Sequence, residues 1–255
     1  MSMDMDKAFG FRLDAGRLVS CAPFDALALP AGGRHVISIV GGGGKTTLLY
    51  YLAGRYAALG LKAAAMTTTR MGCPETYCDT MDACRAMWEK GEYAVAGTRL
   101  PNGKFRAPED EMLAAVLGEA DIVLIEADGA HRRPLKFPAE NEPVILPQTD
   151  IVIAVAGLDA HGGAAGDVCH RMPEAAALLG CNETHIITAE DIAAVLLSPE
   201  AGRKDAAGRT YIAALNKCDD EARKDAGEEI LRLLEKHGQM HAALLHFPPE
   251  NRTGL

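Results

Sequence analysis

The chain has 255 residues, with 26 Lys and Arg against 35 Asp and Glu, a formal net charge of −9. That balance excludes a reader of polymeric nucleic acid, which needs a basic face, and points to smaller partners. Hydrophobic residues make up 48% of the chain and charged residues 24%. This is a globular composition, and the length suits a single α/β domain over residues 1–255.

Residues 1–33 read as an N-terminal extension. Met1–Phe11 carries Asp4, Asp6 and Lys7, and no apolar stretch of signal-peptide or membrane-spanning length follows, which predicts a cytoplasmic protein without a membrane partner. Short apolar runs at His35–Val40, Lys62–Thr67, Asp121–Glu126, Asp150–Ala156, Thr210–Leu215 and His241–Phe247 are predicted strands. Helical periodicity marks Thr46–Leu59, Pro108–Leu117, Pro173–Leu179, Ala189–Leu197 and Asp219–His237. The alternation predicts a mostly parallel sheet with helices on both faces. Two segments break the rhythm. Residues 93–106, with Pro101-Asn102-Gly103 at the turn, read as an inserted hairpin. Residues 128–149, with four prolines, read as a functional loop.

The clearest motif is the predicted strand ending at Val40, then Gly41-Gly42-Gly43-Gly44-Lys45-Thr46-Thr47, then a helix. Glycines let backbone N–H groups approach phosphate oxygens, and the helix start adds partial positive charge. In this P-loop reading Lys45 reaches the β- and γ-phosphates, Thr46 binds Mg²⁺ and Thr47 touches the α-phosphate. The full G-x-x-x-x-G-K-[ST] spacing would put glycine at position 39, where Ile39 stands. The opposing reading is a glycine turn with a solvated lysine.

Further acids and hydroxyls follow the later strands. Asp121–Glu126 leads to Ala127-Asp128-Gly129, so either Glu126 or Asp128 supplies the Mg²⁺ carboxylate and the other caps the loop. Thr67 or Thr68 offers a hydroxyl to Mg²⁺ or the γ-phosphate, or simply finishes a strand. Asn216-Lys217-Cys218-Asp219 resembles the guanine-reading N-K-x-D element, its aspartate accepting from the base and its lysine stem covering it. This favours GTP over ATP. The bland alternative is a polar turn with Asp219 as helix cap. Cys73, Cys78 and Cys84 contain no C-x-x-C spacing and read as structural thiols.

Taken together, Val40–Thr47, Thr67-Thr-Thr-Arg-Met71, Glu126–Gly129, Arg133–Pro143, Val155–Asp159, Cys169-His-Arg171 and Asn216–Asp219 resemble the YqeC family. Its members are described as accessory factors of selenium-dependent molybdenum hydroxylases. The resemblance implies a shortened glycine loop, and a molybdenum hydroxylase or its pterin-cofactor machinery as partner. It gives Arg132, Arg133 and Lys136 a candidate role in holding a phosphate, a pterin dinucleotide or a carboxylate, against a plain ion-pair network with Glu140 and Glu142. His170 and Arg171 are either an activating pair or a structural one.

The resulting expectation is a slow Mg²⁺-dependent GTPase, with Lys45, Thr67, Thr68 and Asp128 around the reacting phosphate. A kinase or ligase acting on a small acidic or pterin-derived acceptor would instead require that acceptor for turnover. A nucleotide-binding scaffold would bind without releasing phosphate.

Overall fold

The computed structural model describes residues 7–248. In chain order its strands are β1 (Phe9–Asp14), β2 (Arg17–Cys21), β3 (His35–Gly41), β4 (Ala63–Thr67), β5 (Arg70–Gly72), β6 (Ala94–Val95), β7 (Thr98–Arg99), β8 (Lys104–Arg106), β9 (Ile122–Glu126), β10 (Leu135–Lys136), β11 (Ile151–Gly157), β12 (Cys169–His170), β13 (Thr210–Asn216) and β14 (Ala242–His246). The helices are α1 (Pro23–Ala26), α2 (Lys45–Ala58), α3 (Met81–Glu89), α4 (Asp110–Glu119), α5 (Ala165–Val168), α6 (Met172–Leu179), α7 (Ala189–Leu197) and α8 (Glu221–Lys236).

Nine strands form one sheet in the order β2-β1-β14-β13-β11-β3-β9-β4-β6. From β14 to β6 every pairing is parallel; β1 and β2 join antiparallel at one edge. Strand residues alternate between two cores. Ile37 and Ile39 point into one with Leu48, Leu49 and Tyr56 of α2, while Val40 points into the other, which holds Cys84, Val116, Ile192 and Ile230 of α3, α4, α7 and α8. Burial on both faces explains why the central strands are almost wholly apolar, with the buried Ser38 of β3 hydrogen-bonded to Thr149. The α/β expectation of a mostly parallel sheet flanked by helices is therefore met.

Three local differences have physical causes. Within residues 1–33, of which 1–6 lie outside the described residues, Phe9–Cys21 forms an antiparallel hairpin turning at Ala15-Gly16, both at positive φ. Its mixed polarity reflects an edge ribbon with one exposed side. Helix α3 is a nine-residue element that buries only Cys84 completely, with Met81, Ala83, Met87 and Trp88 half-buried against the core, so it carries no long apolar run. The predicted 93–106 hairpin is narrower. Ala94–Val95 joins the main sheet beside β4, and only Thr98–Arg106 turns back on itself, pairing with β5 in a separate three-stranded sheet.

Register decides what meets at the carboxyl edge. Thr67 and Ile39 lie opposite Glu126, Gly41 opposite Val155, and Gly157 opposite Asn216. Chain connections diverge around β3, with β4 placed beyond β9 and β11 on β3's other side. Ligands of open α/β sheets bind at such a switch point.

Candidate functional site

The glycine turn leaves β3 and enters α2 with Gly44 at the N-cap position. Neither a side-chain cap nor an acid stands in the first turn of α2. By contrast, α3, α7 and α8 are capped by Thr80, Thr188 and Asp220. The first-turn amides of α2 thus retain the unmet hydrogen-bonding capacity and partial positive charge that draw an anion. Glycine is obligatory at two positions in particular. Gly43 (φ 78°) sits against the Gly157 backbone and Gly44 (φ 123°) against the Asn216 amide, leaving no room for a β-carbon.

The turn is held by groups from β11, from β13 and from the segment that follows β9. The Gly41 N–H donates to Asp128 Oδ2 at 3.0 Å, Gly42 N–H to the Val155 carbonyl at 2.8 Å, and Gly43 N–H to the Arg133 carbonyl at 3.2 Å. Asn216 Nδ2 donates to the Gly43 carbonyl at 2.9 Å. Lys45 folds inward, only 5% exposed, donating to the Gly41 carbonyl at 2.7 Å and lying 3.1 Å from Asp128, itself 2% exposed. Burial opposes the lysine's charge, but Asp128 and then Glu126 outweigh it and raise its pKa above the ordinary value. Lys45 is therefore a buried, charged lysine.

The two acids that the sequence leaves unranked have different partners. Glu126 Oε2 accepts from Thr46 Oγ1 at 2.7 Å, whereas Asp128 serves Lys45 and the Gly41 amide. Thr46 and Glu126 together make a hard-oxygen pair of the type Mg²⁺ takes. A site using one or two carboxylates and otherwise phosphate and water needs no larger cluster, and no group of three or more His, Cys, Asp or Glu gathers among the described residues. Cys78 and Cys84 are buried free thiols and Cys73 is half-buried.

Thr67 and Thr68 are both hydrogen-bonded to main chain: Thr67 Oγ1 donates to the Glu126 carbonyl at 2.9 Å and Thr68 Oγ1 to the Val144 carbonyl at 2.8 Å. They tie the end of β4 to β9 and to the proline-rich segment. Within that segment Lys136 Nζ donates to the Gly129 carbonyl and, at 2.6 Å, to Glu142 Oε2, which also receives Arg171 Nη2 at 2.9 Å. The Arg133 guanidinium donates to the Gly166 carbonyl. His131 stacks on His170 with ring centroids 4.8 Å apart, and His131, Arg132 and Arg171 all adopt positive φ, a local concentration of backbone strain. Burial, then Lys136 and Arg171, lower the His170 pKa to about 4.

Burial pushes the Glu142 carboxyl up, but Lys136 and Arg171 prevail and hold it down at about 2. Its ion pairs thus stabilise the fold above the ordinary carboxylate range, and that contribution is lost as pH falls toward about 2. Glu142→Gln is expected to lower Tm at pH 7, with the gap to the parent protein closing on acidification; a gap independent of pH would contradict this.

On the far side of the loop, Lys217 (φ 65°) pairs with Asp159 at 2.6 Å. Asp219 accepts from His246 Nδ1 and from Arg223 Nη1, each at 2.9 Å. These bonds orient the Asp219 carboxylate. Asp159 Oδ1 and Asn216 Oδ1 are buried without a hydrogen-bond donor, whereas Asp128 Oδ1 faces the Lys45 ammonium at 3.1 Å. Acceptors lacking donors thus stand beside amides lacking acceptors. A nucleotide, which carries both phosphate oxygens and base or sugar donors, fits that combination.

Asp159, Gly157 and Pro134 have places in the site that the motif reading did not assign. Asp159 has a detectable signal as an acid just beyond an apolar strand. Pro134 acts through its carbonyl, which no side-chain pattern reveals.

The fold and site define an α/β protein in which a strand, a glycine turn and a helix meet at the carboxyl edge of a mostly parallel sheet. Residues 37–173 match the family model described as YqeC protein, and the chain belongs to the YqeC family. It is 29% identical over 214 residues to the uncharacterized protein YqeC of Escherichia coli strain K12, covering 79% of this chain and 83% of that protein. Among solved structures it is similar to the signal recognition particle receptor FtsY from Elizabethkingia anophelis, at 16% identity and a TM-score of 0.36. That similarity covers 84% of this chain and 65% of the receptor chain, just under two thirds. No described helix is long and apolar enough to cross a membrane.

Proposed function

We propose that this protein binds a Mg²⁺–nucleotide at Gly41–Thr47, prefers GTP, and hydrolyses it slowly as an accessory factor in maturing selenium-dependent molybdenum hydroxylases. One observation carries the nucleotide reading: an uncapped helix start behind four closely packed glycines, with a charged lysine buried against Asp128. In hydrolysis the bond from the γ-phosphorus to the β,γ-bridging oxygen breaks and a water oxygen takes its place. The water's proton is released, leaving GDP and inorganic phosphate. Lys45 and the α2 amides supply positive charge to the phosphates. Bound Mg²⁺, held by Thr46 and Glu126, would add charge neutralisation. Asp128 positions Lys45, while Thr67 and Thr68 position the strand ends.

The guanine preference is supported by Asn216-Lys217-Cys218-Asp219 standing at the same sheet edge, linked to the loop through Asn216. Asp219→Asn should weaken GTP binding tenfold or more and leave ATP within twofold. Equal losses for both nucleotides would remove the base-reading role. The accessory role rests on the family resemblance and makes a molybdenum hydroxylase, or its pterin-cofactor machinery, the expected partner in the cytoplasm.

The direct test is titration of the purified protein with GTP, ATP and CTP plus Mg²⁺, with product identification. Phosphate release from GTP alone supports the slow GTPase. Absence of nucleotide binding overturns the reading. A second reading, transfer to an acidic small molecule, is favoured by the cleft described next, and turnover strictly dependent on an acceptor would select it.

A further inference from the structure

A cleft of about 500 Å³ opens past the ends of β4 and β9, lined by Thr68, Thr69, Arg70, Arg106, Gly129 and Glu142. We propose that it binds the oxyanion group, phosphate or carboxylate, of a second small molecule, with Arg70 and Arg106 as the recognition pair. The proposal rests on the nucleotide reading, which fills the adjoining loop.

Its position is the first argument. Thr68 and Thr69 continue from β4 and Gly129 follows Asp128, the partner of Lys45, so the cleft adjoins the end of the loop where the lysine lies. The volume falls within the roughly 300–1,000 Å³ typical of small-ligand sites.

Charge is the second. Arg70 and Arg106 stand directly opposite each other in the antiparallel β5–β8 pair, so both side chains leave the same face. Like charges so placed repel. Arg106 is paired with Glu109, whereas the Arg70 guanidinium has no hydrogen bond or ion pair among the described residues. A chain of net charge −9 has thus built a small sheet that brings two arginines to one face, where both line the cleft.

The wall chemistry agrees. Glu142 would repel an anion if alone, but Lys136 and Arg171 already neutralise it. Lys136 and Arg133 have partners inside the protein, so the cations left to meet a ligand at this cleft are Arg70 and Arg106, the latter paired with the exposed Glu109. Guanidinium suits the task because its planar fork matches two oxygens of a carboxylate or phosphate.

The test uses the full chain saturated with Mg²⁺ and a non-hydrolysable GTP analogue. It is titrated calorimetrically with inorganic phosphate and separately with citrate at constant ionic strength. At least one probe should bind at one site. Arg70→Gln and Arg106→Gln should each weaken it tenfold or more while leaving the analogue's affinity within twofold. Arg85→Gln, which removes a surface arginine paired with Glu119, should change neither. The better probe identifies the class as phosphate or carboxylate. Failure of both probes to bind the loaded protein, or unchanged affinity in both cleft variants, overturns the proposal. If the analogue itself does not bind, the nucleotide reading fails separately. The same titration of the free protein then decides: anion binding lost in Arg70→Gln but kept in Lys45→Ala upholds the cleft, and the reverse overturns it.

Discussion

Lys45→Ala is expected to abolish detectable GTP binding and to lower the melting temperature at the same time. The ammonium is the one cation within the glycine turn, so its loss removes the charge that meets the phosphates. It also leaves Asp128, 2% exposed, with the Gly41 amide as its remaining polar contact among the described residues. Breaking a buried pair by deleting one partner costs about 3–5 kcal/mol, which for a chain of this size lowers Tm by roughly 10 °C. The two effects separate in the double variant Lys45→Met with Asp128→Asn, which removes both charges and keeps most of the volume. It should recover most of the lost Tm and none of the nucleotide affinity. Thermal melts and GTP titrations of both variants provide the measurement. Wild-type affinity in either variant would refute the phosphate-loop assignment.

The second large effect concerns the metal. Since Glu126 contacts Thr46 while Asp128 contacts Lys45, their removal should leave different signatures. Glu126→Gln should cost tenfold or more in nucleotide affinity when Mg²⁺ is present and little when it is chelated. Asp128→Asn should weaken binding by a similar factor in both conditions, because it acts through the lysine. Affinities measured with Mg²⁺ and with EDTA decide between them, and an exchange of the two signatures would reverse the assignment. A carboxamide replaces each acid without opening a cavity, so refolding artefacts are smallest in this pair.

Much of this architecture can be read from the residues because two-sided burial writes itself plainly. His35–Gly41 and Ile151–Gly157 are mostly apolar on both faces, the glycines follow the first of them, and Glu126 and Asn216 end the flanking β9 and β13. The less legible parts are those whose stability comes from elsewhere. The β1–β2 ribbon is held by pairing to β14 and carries no strong pattern of its own, and α3 is a short helix whose contacts, apart from Cys84, are made by half-buried side chains such as Met87 and Trp88. The proline segment shows the same limit at the site. Its lysine and arginines are conspicuous in sequence, but whether they meet Glu142, a carbonyl or a ligand depends on a fold that brings residue 171 to residue 142. Arg70 and Arg106 are 36 positions apart and become neighbours only through the small sheet.

Residues 133 and 134 reach the glycine turn and the neighbouring end of β11 through main-chain atoms: the Arg133 carbonyl takes the Gly43 N–H, and the Pro134 carbonyl takes the Gly157 N–H at 2.9 Å. A linkage made of peptide groups is blind to side-chain identity. Residues 133 and 134 can therefore exchange their side chains for other chemistry while the mechanical connection persists. It is severed only by removing an amide, or by a backbone shift that parts the two strands of chain. A displacement of the turn of even a few tenths of an ångström would consequently be passed to the surface of the molecule by the backbone itself.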